Sequence, residues 1–480
     1  QTGNPLMRPI FFEETKNKEL KDIVIKTLDI IASRGLHDHL QGGFFRYCVD
    51  NEWKIPHFEK MLYDNAQLVS LYCDAYLATK NPLYKQIVEE TLTFVERELT
   101  NTDGTFYSSL DADSLNEENE LEEGAYYVWT KKELNELLEN DFEIFSDYFN
   151  INDYGYWEYN NYVLIRSKSN KDIASKYGIS IIELEGKLSN WKSLLLKTRA
   201  QRNKPRLDDK ILTSWNALML KGYVDAYRVF DNENYLRSAL KNAQFIITKQ
   251  QKEDGGLFHS FKEGKSTING YLEDYACVIE AFLKLYENTL DAKWLIEARS
   301  LTNYCFDHFY NSSNQLFYFT SNSDEKLISR PLEFRDNVIP ASNSIMAKNL
   351  HLLGKHFNNK SYSESAEKML HNVVPEIGTY GSGFSNWLDL YLNFAFEHKE
   401  IVITGANSFD HLKNLKAEYI PNALFSGSSS SLKTSVSSTK LPLLENRIIE
   451  GKTVFYICTN GVCNLPTENI NEALTLIKQK

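Results

Sequence analysis

Several features that mark common classes of protein are missing from this sequence. The 480 residues carry a formal net charge of -12 and no run of Lys and Arg. The overall field would therefore repel a phosphate backbone, and nucleic acid is not an expected partner. No stretch approaches the roughly 20 continuous apolar residues that a membrane-spanning helix needs, so we expect no membrane partner. Residues 1–17 also lack the charged-then-apolar pattern of a signal peptide.

The motifs of familiar catalytic sites are missing as well. The chain has no GxSxG elbow, P-loop, GxGxxG or HExxH, which disfavours serine hydrolases, nucleotide-binding proteins and zinc proteases. The pair formed by Asp111 and Asp113 lacks the Gly and the twelfth-position Glu of a calcium loop. We therefore predict no metal and no cofactor.

Cysteine is scarce. The chain has 6 cysteines, and three of them stand in apolar helical stretches, as buried thiols do. This usage indicates a reducing compartment, and we expect a cytoplasmic protein. Only Cys458 and Cys463 are close enough to suggest a pair, although their spacing is not that of a CxxC redox motif. Two free thiols near a turn remain an equal alternative.

The composition that is present is that of a folded globular protein, with 42% hydrophobic and 25% charged residues. A chain of 480 residues is too long for one ordinary core, which predicts two domains. Helical periodicity dominates up to about residue 398, and short β-branched runs alternate with helix after it. We therefore predict a mainly α domain over 1–398 and a small α/β subdomain over 399–480, in which the Ser-rich stretch GSSSS forms a mobile loop.

The helices of the first domain fall into two kinds. Short turns rich in Asp and Asn, each followed by an aromatic residue, recur in one frame and indicate a helical hairpin repeated around an array. The aromatic residues in this frame are Tyr84, Tyr235, Trp294 and Tyr362. The first helices of six hairpins lie near 17–35, 83–98, 172–200, 234–250, 293–311 and 362–378. Their second helices lie near 57–78, 130–147, 214–230, 272–289, 342–357 and 385–398. The second helices are more apolar, so we predict an (α/α)6 barrel, a six-hairpin toroid in which they form the inner ring.

Long connections join the first helix of each hairpin to the second and emerge on one rim, where binding residues are expected. A second helix that began at Pro56 would place four side chains of the first connection on one face. These are His57, Lys60, Met61 and Asp64. His57 would then lie at the mouth, where it could transfer a proton near neutral pH. A histidine that only hydrogen-bonds a neighbouring loop is an equal alternative.

The remaining connections combine acids and amides with aromatic rings, a pattern typical of sugar sites, where rings stack on C–H faces and acids bind hydroxyls. Simpler alternatives are helix capping by Glu273 and Asp274 and a solvated acidic loop around Asp111. The predicted substrate-binding residues are Arg46, Tyr47, Trp53, Lys60, Asp111, Asp113, Lys210, Trp215, Asn216, Glu273, Asp274, Arg335, Asp336 and Asn343.

Five strings in the chain carry a resemblance to a known family. They are GGFFRYCVDNEWKIPHFEKMLYDNAQL, SLDADS with EEGAYYVWT, DDKILTSWNALML, YLEDYACVIEAFLKLYE and ISRPLEFRDNVIPASNS. With them the chain resembles the barrel portion of the thioredoxin-domain-containing proteins related to spermatogenesis-associated protein 20 and bacterial YyaL. The resemblance covers nearly the whole chain and implies a barrel akin to N-acylglucosamine 2-epimerases and six-hairpin glycosidases.

The resemblance also bears on partners. The family's thioredoxin-like domain, with its Trp-Cys-His segment, does not occur among these residues, so the chain is not expected to carry a redox role. A thioredoxin-like domain or protein is an expected partner. His259 stands where relatives are expected to have Arg, and we therefore build no catalytic histidine pair on it.

The expected function is that of a carbohydrate-active protein of the sugar epimerase or isomerase type. A base would remove the proton next to an open-chain carbonyl, and a second group would return it on the opposite face. Arg46 or Arg335 would steady the enolate charge. The predicted catalytic residues are His57 as the base and Asp209, Asp64 and Glu59, which orient it or the substrate.

Two other functions stay open from the sequence. One is glycoside cleavage by two carboxylates, with Asp113 and Asp209 as the pair. The other is a non-catalytic sugar- or protein-binding scaffold that works with a thioredoxin-like domain.

Overall fold

Capped turns begin the outer helices of the structure. The computed structural model describes residues 17–325, 328–428 and 441–479. At four turns an Asn or Asp side chain accepts a hydrogen bond from a backbone N–H of the first helical turn, which pairs a donor that the helix leaves free. These caps are Asn81, Asn232, Asp291 and Asn359. The aromatic residue a few positions after each cap packs against the main core, so the recurring frame in the sequence marks helix starts.

The described residues form sixteen α-helices. They are α1 (Lys18–Ser33), α2 (Leu62–Thr79), α3 (Pro82–Glu98), α4 (Lys131–Leu138), α5 (Phe142–Phe149), α6 (Asn170–Tyr177), α7 (Ile181–Arg199), α8 (Thr213–Phe230), α9 (Glu233–Phe245), α10 (Leu272–Thr289), α11 (Ala292–His308), α12 (Ser342–His356), α13 (Lys360–Ile377), α14 (Ser385–Ala395), α15 (Ser408–Lys416) and α16 (Ile470–Lys478). Inner helices α2, α8, α10, α12 and α14 pack side by side in that order. Helices α3, α9, α11 and α13 pack outside this inner layer. Each of them packs against the inner helix that precedes it in the chain, namely α2, α8, α10 and α12.

This arrangement confirms the predicted class, a mainly α barrel of paired helices followed by a small α/β unit. The inner helices α8, α10 and α12 are buried over most of their surface, as their apolar sequences indicate. Gln67 of α2 donates from Nε2 to the carbonyl of Val338 at 2.9 Å, in the connection that precedes α12. This bond joins two non-neighbouring members of the ring across its mouth.

One predicted hairpin lies outside the inner ring of the described residues. The sequence placed an inner helix near 130–147, but α2 packs directly on α8 and leaves no room for a helix between them. Helices α4 to α7 instead form an excursion with a core of their own, in which Trp129, Phe145 and Trp191 are buried. The large aromatic residues of this segment pack chiefly on one another, in a cluster that is distinct from the main core.

Short strands fill the connections, and a larger sheet follows the helices. The strands are β1 (Tyr47–Cys48), β2 (Pro56–His57), β3 (Lys60–Met61), β4 (Ser109–Leu110), β5 (Asp113–Leu115), β6 (Leu121–Glu123), β7 (Trp129–Thr130), β8 (Asn161–Tyr162), β9 (Leu207–Asp208), β10 (Ile211–Leu212), β11 (Phe258–Lys262), β12 (Lys265–Asn269), β13 (Tyr310–Asn311), β14 (Leu316–Phe317), β15 (Lys399–Thr404), β16 (Ala423–Ser428), β17 (Val454–Thr459) and β18 (Val462–Cys463). Strand β8 pairs with β7 at the edge of the segment that carries α4 and α5.

The C-terminal sheet has the order β16-β15-β17-β18. Strand β15 is parallel to β16 and antiparallel to β17, and α15 and α16 pack on the sheet in a core that includes Leu290 of the barrel. Cys458 and Cys463 face each other across β17 and β18 and form a disulfide, which decides the pairing that the spacing left open. The Ser-rich stretch predicted as a mobile loop lies largely outside the described residues.

Buried asparagines fasten three connections to inner helices. In each case the side-chain amide donates to the carbonyl, and its oxygen accepts from the N–H, of one phenylalanine in a connection. The pairs are Asn65 with Phe44, Asn216 with Phe106 and Asn343 with Phe317. These bonds satisfy backbone groups that would otherwise be buried without partners.

We expect Asn216→Ala to lower the free energy of unfolding by about 1–3 kcal/mol, because the N–H and C=O of Phe106 lose their partner in a buried site. Urea unfolding followed by circular dichroism measures the change. The exposed Asn203, on the same connection as the start of α8, supplies the control, and Asn203→Ala should stay within about 0.5 kcal/mol of the parent. Equal losses in the two variants would contradict the assigned role.

Three buried histidines lie where α12 meets the C-terminal sheet, namely His351, His356 and His398. Burial lowers the pKa of His351 to about 3 and that of His356 to about 4. In the unfolded chain these pKa values return to about 6.5, so below that pH the unfolded state binds more protons than the native state. The stability that the neutral histidines contribute is therefore complete above about pH 6.5 and is lost as the pH falls towards 4.

We expect His351→Gln to flatten this acid dependence. The slope of the unfolding free energy between about pH 6 and pH 4.5 should fall by about 1 kcal/mol per pH unit, the effect of one proton. Urea unfolding at several pH values gives the slope. His371 is exposed on α13, so His371→Gln should leave the slope unchanged. A parental slope in His351→Gln would rule out its buried neutral state.

Candidate functional site

Short β ladders join the connections into one rim. Strand β1 pairs with β2, β4 lies between β3 and β9, and β10 pairs with β11. At the start of α2 the N–H of Leu62 donates to the carbonyl of Ser108 at 2.9 Å, and at the start of α10 the N–H of Leu272 donates to that of Phe319 at 2.9 Å. Residues from distant connections therefore lie together where the inner helices begin.

The first inner helix begins later than the sequence predicted. It starts at Leu62, because the preceding residues are held in β2 and β3 by their pairing with β1 and β4. The prediction that His57, Lys60, Met61 and Asp64 share one helical face is therefore wrong. Of these, only Asp64 belongs to the helix.

His57 lies on β2 at the rim. Its Nδ1 is 2.7 Å from Oε1 of Glu123, and its ring stacks on that of Tyr47 at a centroid distance of 5.1 Å. Its Nε2 is 3.7 Å from Oε2 of Glu59, beyond hydrogen-bond reach, and the side chain is 27% exposed. A carboxylate at Nδ1 fixes the tautomer and the orientation of the imidazole, so Nε2 is the nitrogen that can take a proton from a ligand.

Arg46 links this histidine to the start of α2. Its Nη1 donates to Oε2 of Glu59 at 3.1 Å, and the guanidinium also interacts with the hydroxyl of Tyr63. Burial raises the pKa of Tyr63 to about 12, so its hydroxyl stays protonated at neutral pH. The ring of Tyr63 meets that of Trp215 edge to face at 4.8 Å, which connects the first rim segment to the start of α8.

Asp64 is a buried carboxyl on the first turn of α2. Burial raises its pKa to about 7, with a further raising effect from Glu59 and an opposing one from Arg46. Among the described residues its Oδ2 atom has no hydrogen-bond partner. A carboxyl with this pKa is divided between its acid and its anion near neutral pH, so it can both give and accept a proton.

Glu273 is a second carboxyl of this kind, on the first turn of α10. Burial raises its pKa to about 7, with a smaller raising effect from Asp274. It accepts a hydrogen bond from the Ser214 hydroxyl at 2.6 Å, which joins the starts of α8 and α10. Glu333 lies near enough to raise its pKa further. The rim therefore holds two carboxyls poised near neutrality, each on a different inner helix.

Three predicted substrate-binding residues have structural roles instead. Lys60 is completely buried, and its ammonium donates to Asp38 at 2.8 Å and to the carbonyl of Gly42 at 2.9 Å. Asn216 and Asn343 are the buried amides that bind Phe106 and Phe317. Strand alternation turns Lys60 inward, and the amides face the connection, so a ligand cannot reach them.

Asp274 and Asp336 serve as buried caps. Asp274 accepts from the N–H of Ser214 and of Tyr271, both at 2.9 Å, and lies 3.0 Å from Nδ1 of His259. Asp336 accepts from the N–H of Ala341 at 2.8 Å and from the start of α14. Asp274 therefore has the capping role that was the simpler alternative. Neither Asp274 nor Asp336 is open to a ligand.

Two predicted acids of the second and third connections, Asp111 and Asp209, are paired with surface cations. Asp209 lies 2.7 Å from Lys262, and this hydrogen bond lowers its pKa. Asp111 lies 3.3 Å from Arg206. Asp209 was predicted to orient His57 or the substrate, but its ion-pair partner in the described part of the chain is Lys262 and not His57. Lys210 is likewise half-exposed and pairs with Asp208 at 3.2 Å.

The remaining predicted residues differ in how they face the rim. Asp113 lies on β5 opposite Glu123, the partner of His57. Tyr47 is 50% exposed, whereas Trp53 and Trp215 are partly buried against the main core. Arg335 is 65% exposed and pairs with Glu376 of the outer helix α13 at 2.7 Å.

The predicted catalytic and substrate-binding residues do not include four residues that the structure places here, namely Tyr63, Glu123, Ser214 and Glu333. The signal for Glu123 was present, since the alternating β5 and β6 segments with a turn between them indicate a hairpin that puts Asp113 and Glu123 side by side. The other three residues join the site through contacts between connections. Spacing along the chain does not reveal such contacts.

Residues 17–325, 328–428 and 441–479 contain no group of three or more His, Cys, Asp or Glu side chains that could hold a metal ion. None of the helices in that part of the chain is long and apolar enough to cross a membrane. The expectation of a cytoplasmic protein stays a prediction.

The fold and the rim define a helical-barrel protein with a polar site at the mouth of its inner ring. No family model matches the chain. It is 30% identical to human spermatogenesis-associated protein 20 over 93% of its own length and 61% of that protein. It is 29% identical to an uncharacterized protein of Caenorhabditis elegans over 96% of its length and 67% of that protein. The chain is thus a homologue of spermatogenesis-associated protein 20, as its motifs indicate.

Solved structures with related folds include a cellobiose 2-epimerase from Spirochaeta thermophila, with a TM-score of 0.45 and 10% identity over 76% of this chain and 72% of that one. An unsaturated glucuronyl hydrolase from Streptococcus agalactiae has a TM-score of 0.45 and 12% identity over 82% of this chain and 80% of that one. The predicted thioredoxin-like partner receives no support from these similarities and stays a prediction.

Proposed function

We propose that this chain is a carbohydrate-active enzyme that moves a proton next to the carbonyl of an open-chain sugar, as a sugar epimerase or isomerase does. The observation that carries the proposal is the pairing of His57 with Glu123 at the open mouth of the ring. Beside it stand a cation, Arg46, and a buried carboxyl with a pKa near neutrality, Asp64. Base, charge stabiliser and proton donor are the three groups that this chemistry needs.

In the first step His57 Nε2 takes the proton from the carbon next to the carbonyl. The C–H electron pair forms the carbon–carbon double bond, and the carbonyl electrons move to oxygen, which gives an enediolate. Glu123 holds the opposite ring nitrogen and stabilises the imidazolium that forms. Arg46 supplies positive charge and N–H donors on the same side of the rim for the new oxyanion.

In the second step the enediolate carbon receives a proton. If Asp64 donates it on the opposite face of the same carbon, the carbonyl re-forms and the product is the epimer. If His57 returns it to the neighbouring carbon, the hydroxyl on the first carbon passes its proton to the enediolate oxygen and becomes the new carbonyl, so the product is the isomeric ketose or aldose. The pKa of Asp64, about 7, allows it to be protonated before this step and ionised after it. Exchange with solvent then restores both groups.

Aromatic rings and hydroxyl-binding groups surround these residues. Tyr47 and Trp215 present rings on which the C–H face of a sugar can stack. Glu59 and Glu273 offer carboxyl oxygens for hydroxyl groups. Because the substrate would lie between β2 and the starts of α2 and α8, side chains from three connections would contact it.

The test is incubation of the protein with a panel of mono- and disaccharides in deuterated water, followed by proton NMR. The proposal expects loss of the C–H signal next to the carbonyl and the growth of an epimer or isomer. Cleavage of a disaccharide without stereochemical change would favour glycoside hydrolysis. Saturation-transfer contacts to a sugar without any reaction would favour the scaffold function. Either result would overturn the proposed reaction.

Glycoside hydrolysis by the carboxylates first considered for it has less support than the proposed proton transfer. Asp209 is exposed, and its bond to Lys262 lowers its pKa, which makes it a poor general acid. A hydrolase would have to use Glu273 or Asp64 as the acid. The NMR panel separates the two reactions directly, since cleavage releases a new reducing end.

A further inference from the structure

A second polar cavity lies away from the rim, between helices α1 and α3 of the barrel and helices α5 and α7 of the excursion. Its volume is about 260 Å³. His37, Leu40 and Phe149 form its buried floor, and the exposed side chains of Gln86 and Ser189 stand at its opening. The cavity shares no residue with the site proposed for sugars.

His37 is an unsatisfied polar group on this floor. Its side chain is 1% exposed, and neither ring nitrogen has a hydrogen-bond partner among the described residues. The nearest carboxylate oxygen, Oε2 of Glu90, is 3.7 Å from Nε2. A buried imidazole without partners costs free energy, and native structures usually pair such a group with a ligand, an ion or water.

Two cations line the same cavity. Lys192 donates to Oε1 of Glu90 at 2.7 Å, so the single carboxylate of the lining is already neutralised. Arg166 stacks on the ring of Tyr148 at 5.2 Å from its centroid, and its buried Nε has no partner among the described residues. The guanidinium therefore keeps a donor free beside an imidazole that also lacks a partner.

The second histidine of the lining is already engaged. His39 Nε2 lies 3.1 Å from the carbonyls of both Ser33 and Arg34, which fixes its ring as a donor at that nitrogen. Its ring meets that of His37 edge to face at 5.2 Å. His37 is thus the histidine that is free to respond to a ligand.

We propose that this cavity binds a small tetrahedral oxyanion of the phosphate or sulfate type, either free or as the terminal group of a small metabolite. Arg166, Lys192 and His37 would hold its oxygens, since guanidinium, ammonium and imidazolium groups make charge-assisted hydrogen bonds to such anions. The lining has no cluster of three metal-binding side chains in the described residues, which disfavours a cation.

Binding would couple to protonation of His37. Burial, together with smaller effects of the neighbouring Lys192, Lys60 and Arg166, lowers the pKa of this histidine to about 3, while Asp38 opposes them. Glu90 also faces the ring. A bound anion adds negative charge next to the imidazole and favours its charged form. The complex should therefore take up a proton that the free protein does not hold.

The experiment is isothermal titration calorimetry of the full chain at pH 6.5 with sodium phosphate, with sodium chloride of equal ionic strength as the reference. Parallel titrations with glucose 6-phosphate and with glucose distinguish a free anion from an esterified one. A titration with sodium sulfate, which does not itself titrate at this pH, in two buffers of different ionisation heat gives the number of protons that the protein takes up. The proposal expects saturable binding of at least one phosphate compound, none of glucose or chloride, and proton uptake.

Variants locate the site. Arg166→Gln and Lys192→Met should each weaken binding about tenfold or more, the loss expected for one charge-assisted hydrogen bond. Lys187→Met removes a half-exposed lysine of the same helix α7, which pairs with Asp141 outside the cavity, and should leave the affinity unchanged. His37→Asn should abolish proton uptake.

Three results would overturn the proposal. One is the absence of binding by every phosphate compound, and another is equal affinity in the parent, Arg166→Gln and Lys192→Met. The third is proton uptake that persists in His37→Asn. Circular dichroism of each variant confirms its fold, so that a loss of affinity can be assigned to the cavity.

Discussion

Replacing His57 by glutamine is expected to lower the rate of deuterium exchange next to the sugar carbonyl by about 10²- to 10⁴-fold, the usual contribution of a general base. Glutamine keeps a polar side chain opposite Glu123 but has no nitrogen that can take the proton. The fold should be unaffected, because the imidazole is partly exposed and lies outside the core. The measurement is the initial rate by proton NMR for a substrate identified in the sugar panel.

The exposed His371 of α13 is the matched control, and His371→Gln should retain the parental rate. Glu123→Gln adds a graded test, since it leaves Nε2 in place but removes the carboxylate that orients the ring. Its rate should fall between those of the parent and His57→Gln. A parental rate in His57→Gln would remove this histidine from the mechanism, while the other rim residues would still have to explain the reaction.

Asp38→Asn is expected to lower the free energy of unfolding by about 3–5 kcal/mol, the cost of breaking a buried ion pair by removing one partner. Its carboxylate accepts from Lys60 at 2.8 Å and from Arg199 at 2.9 Å, and all three side chains are at most 3% exposed. These two cations hold its pKa well below the usual range. The variant would leave both positive charges buried without their counter-ion. Urea unfolding at pH 7 measures the loss.

Asp147 is the control, because it also bonds two cations, Lys168 and Lys176, but at the surface. Asp147→Asn should cost no more than about 1 kcal/mol, the range of exposed ion pairs. Similar losses in the two variants would show that burial does not set the strength of the Asp38 cluster. The comparison bears on the fold, since Arg199 ends α7 and its bond to Asp38 fastens the excursion to the barrel.

Much of the fold could be predicted because local sequence patterns determine it. The Asp or Asn caps followed by Tyr84, Tyr235, Trp294 and Tyr362 mark the starts of four outer helices, and five of the six predicted second helices form the inner ring. The change of pattern near residue 398 coincides with the first strand of the C-terminal sheet, Lys399–Thr404. Capping and periodicity act within one or two helical turns, so a single sequence reveals them.

The predictions failed where long-range pairing overrides local preference. Residues 56–61 have a helix-compatible spacing, but their backbone groups pair with β1 and β4 and hold them in strands. The segment 131–199 has helical periodicity, yet its aromatic residues form a separate core. The length of a helix and its place in the ring depend on partners that are distant in sequence.

The candidate site also depends partly on local sequence and partly on long-range packing. By itself the sequence determined which residue types gather in the connections: a histidine, several carboxyls, an arginine and aromatic rings, all ahead of apolar helices. Only the tertiary structure decided their roles. It left His57 open beside Glu123, buried Asp64 and Glu273 so that their pKa values rise to about 7, and used Lys60, Asn216 and Asp274 to hold the rim together. The physical reason is that burial and neighbouring charge, which set the reactivity of a polar group, arise only when distant segments pack.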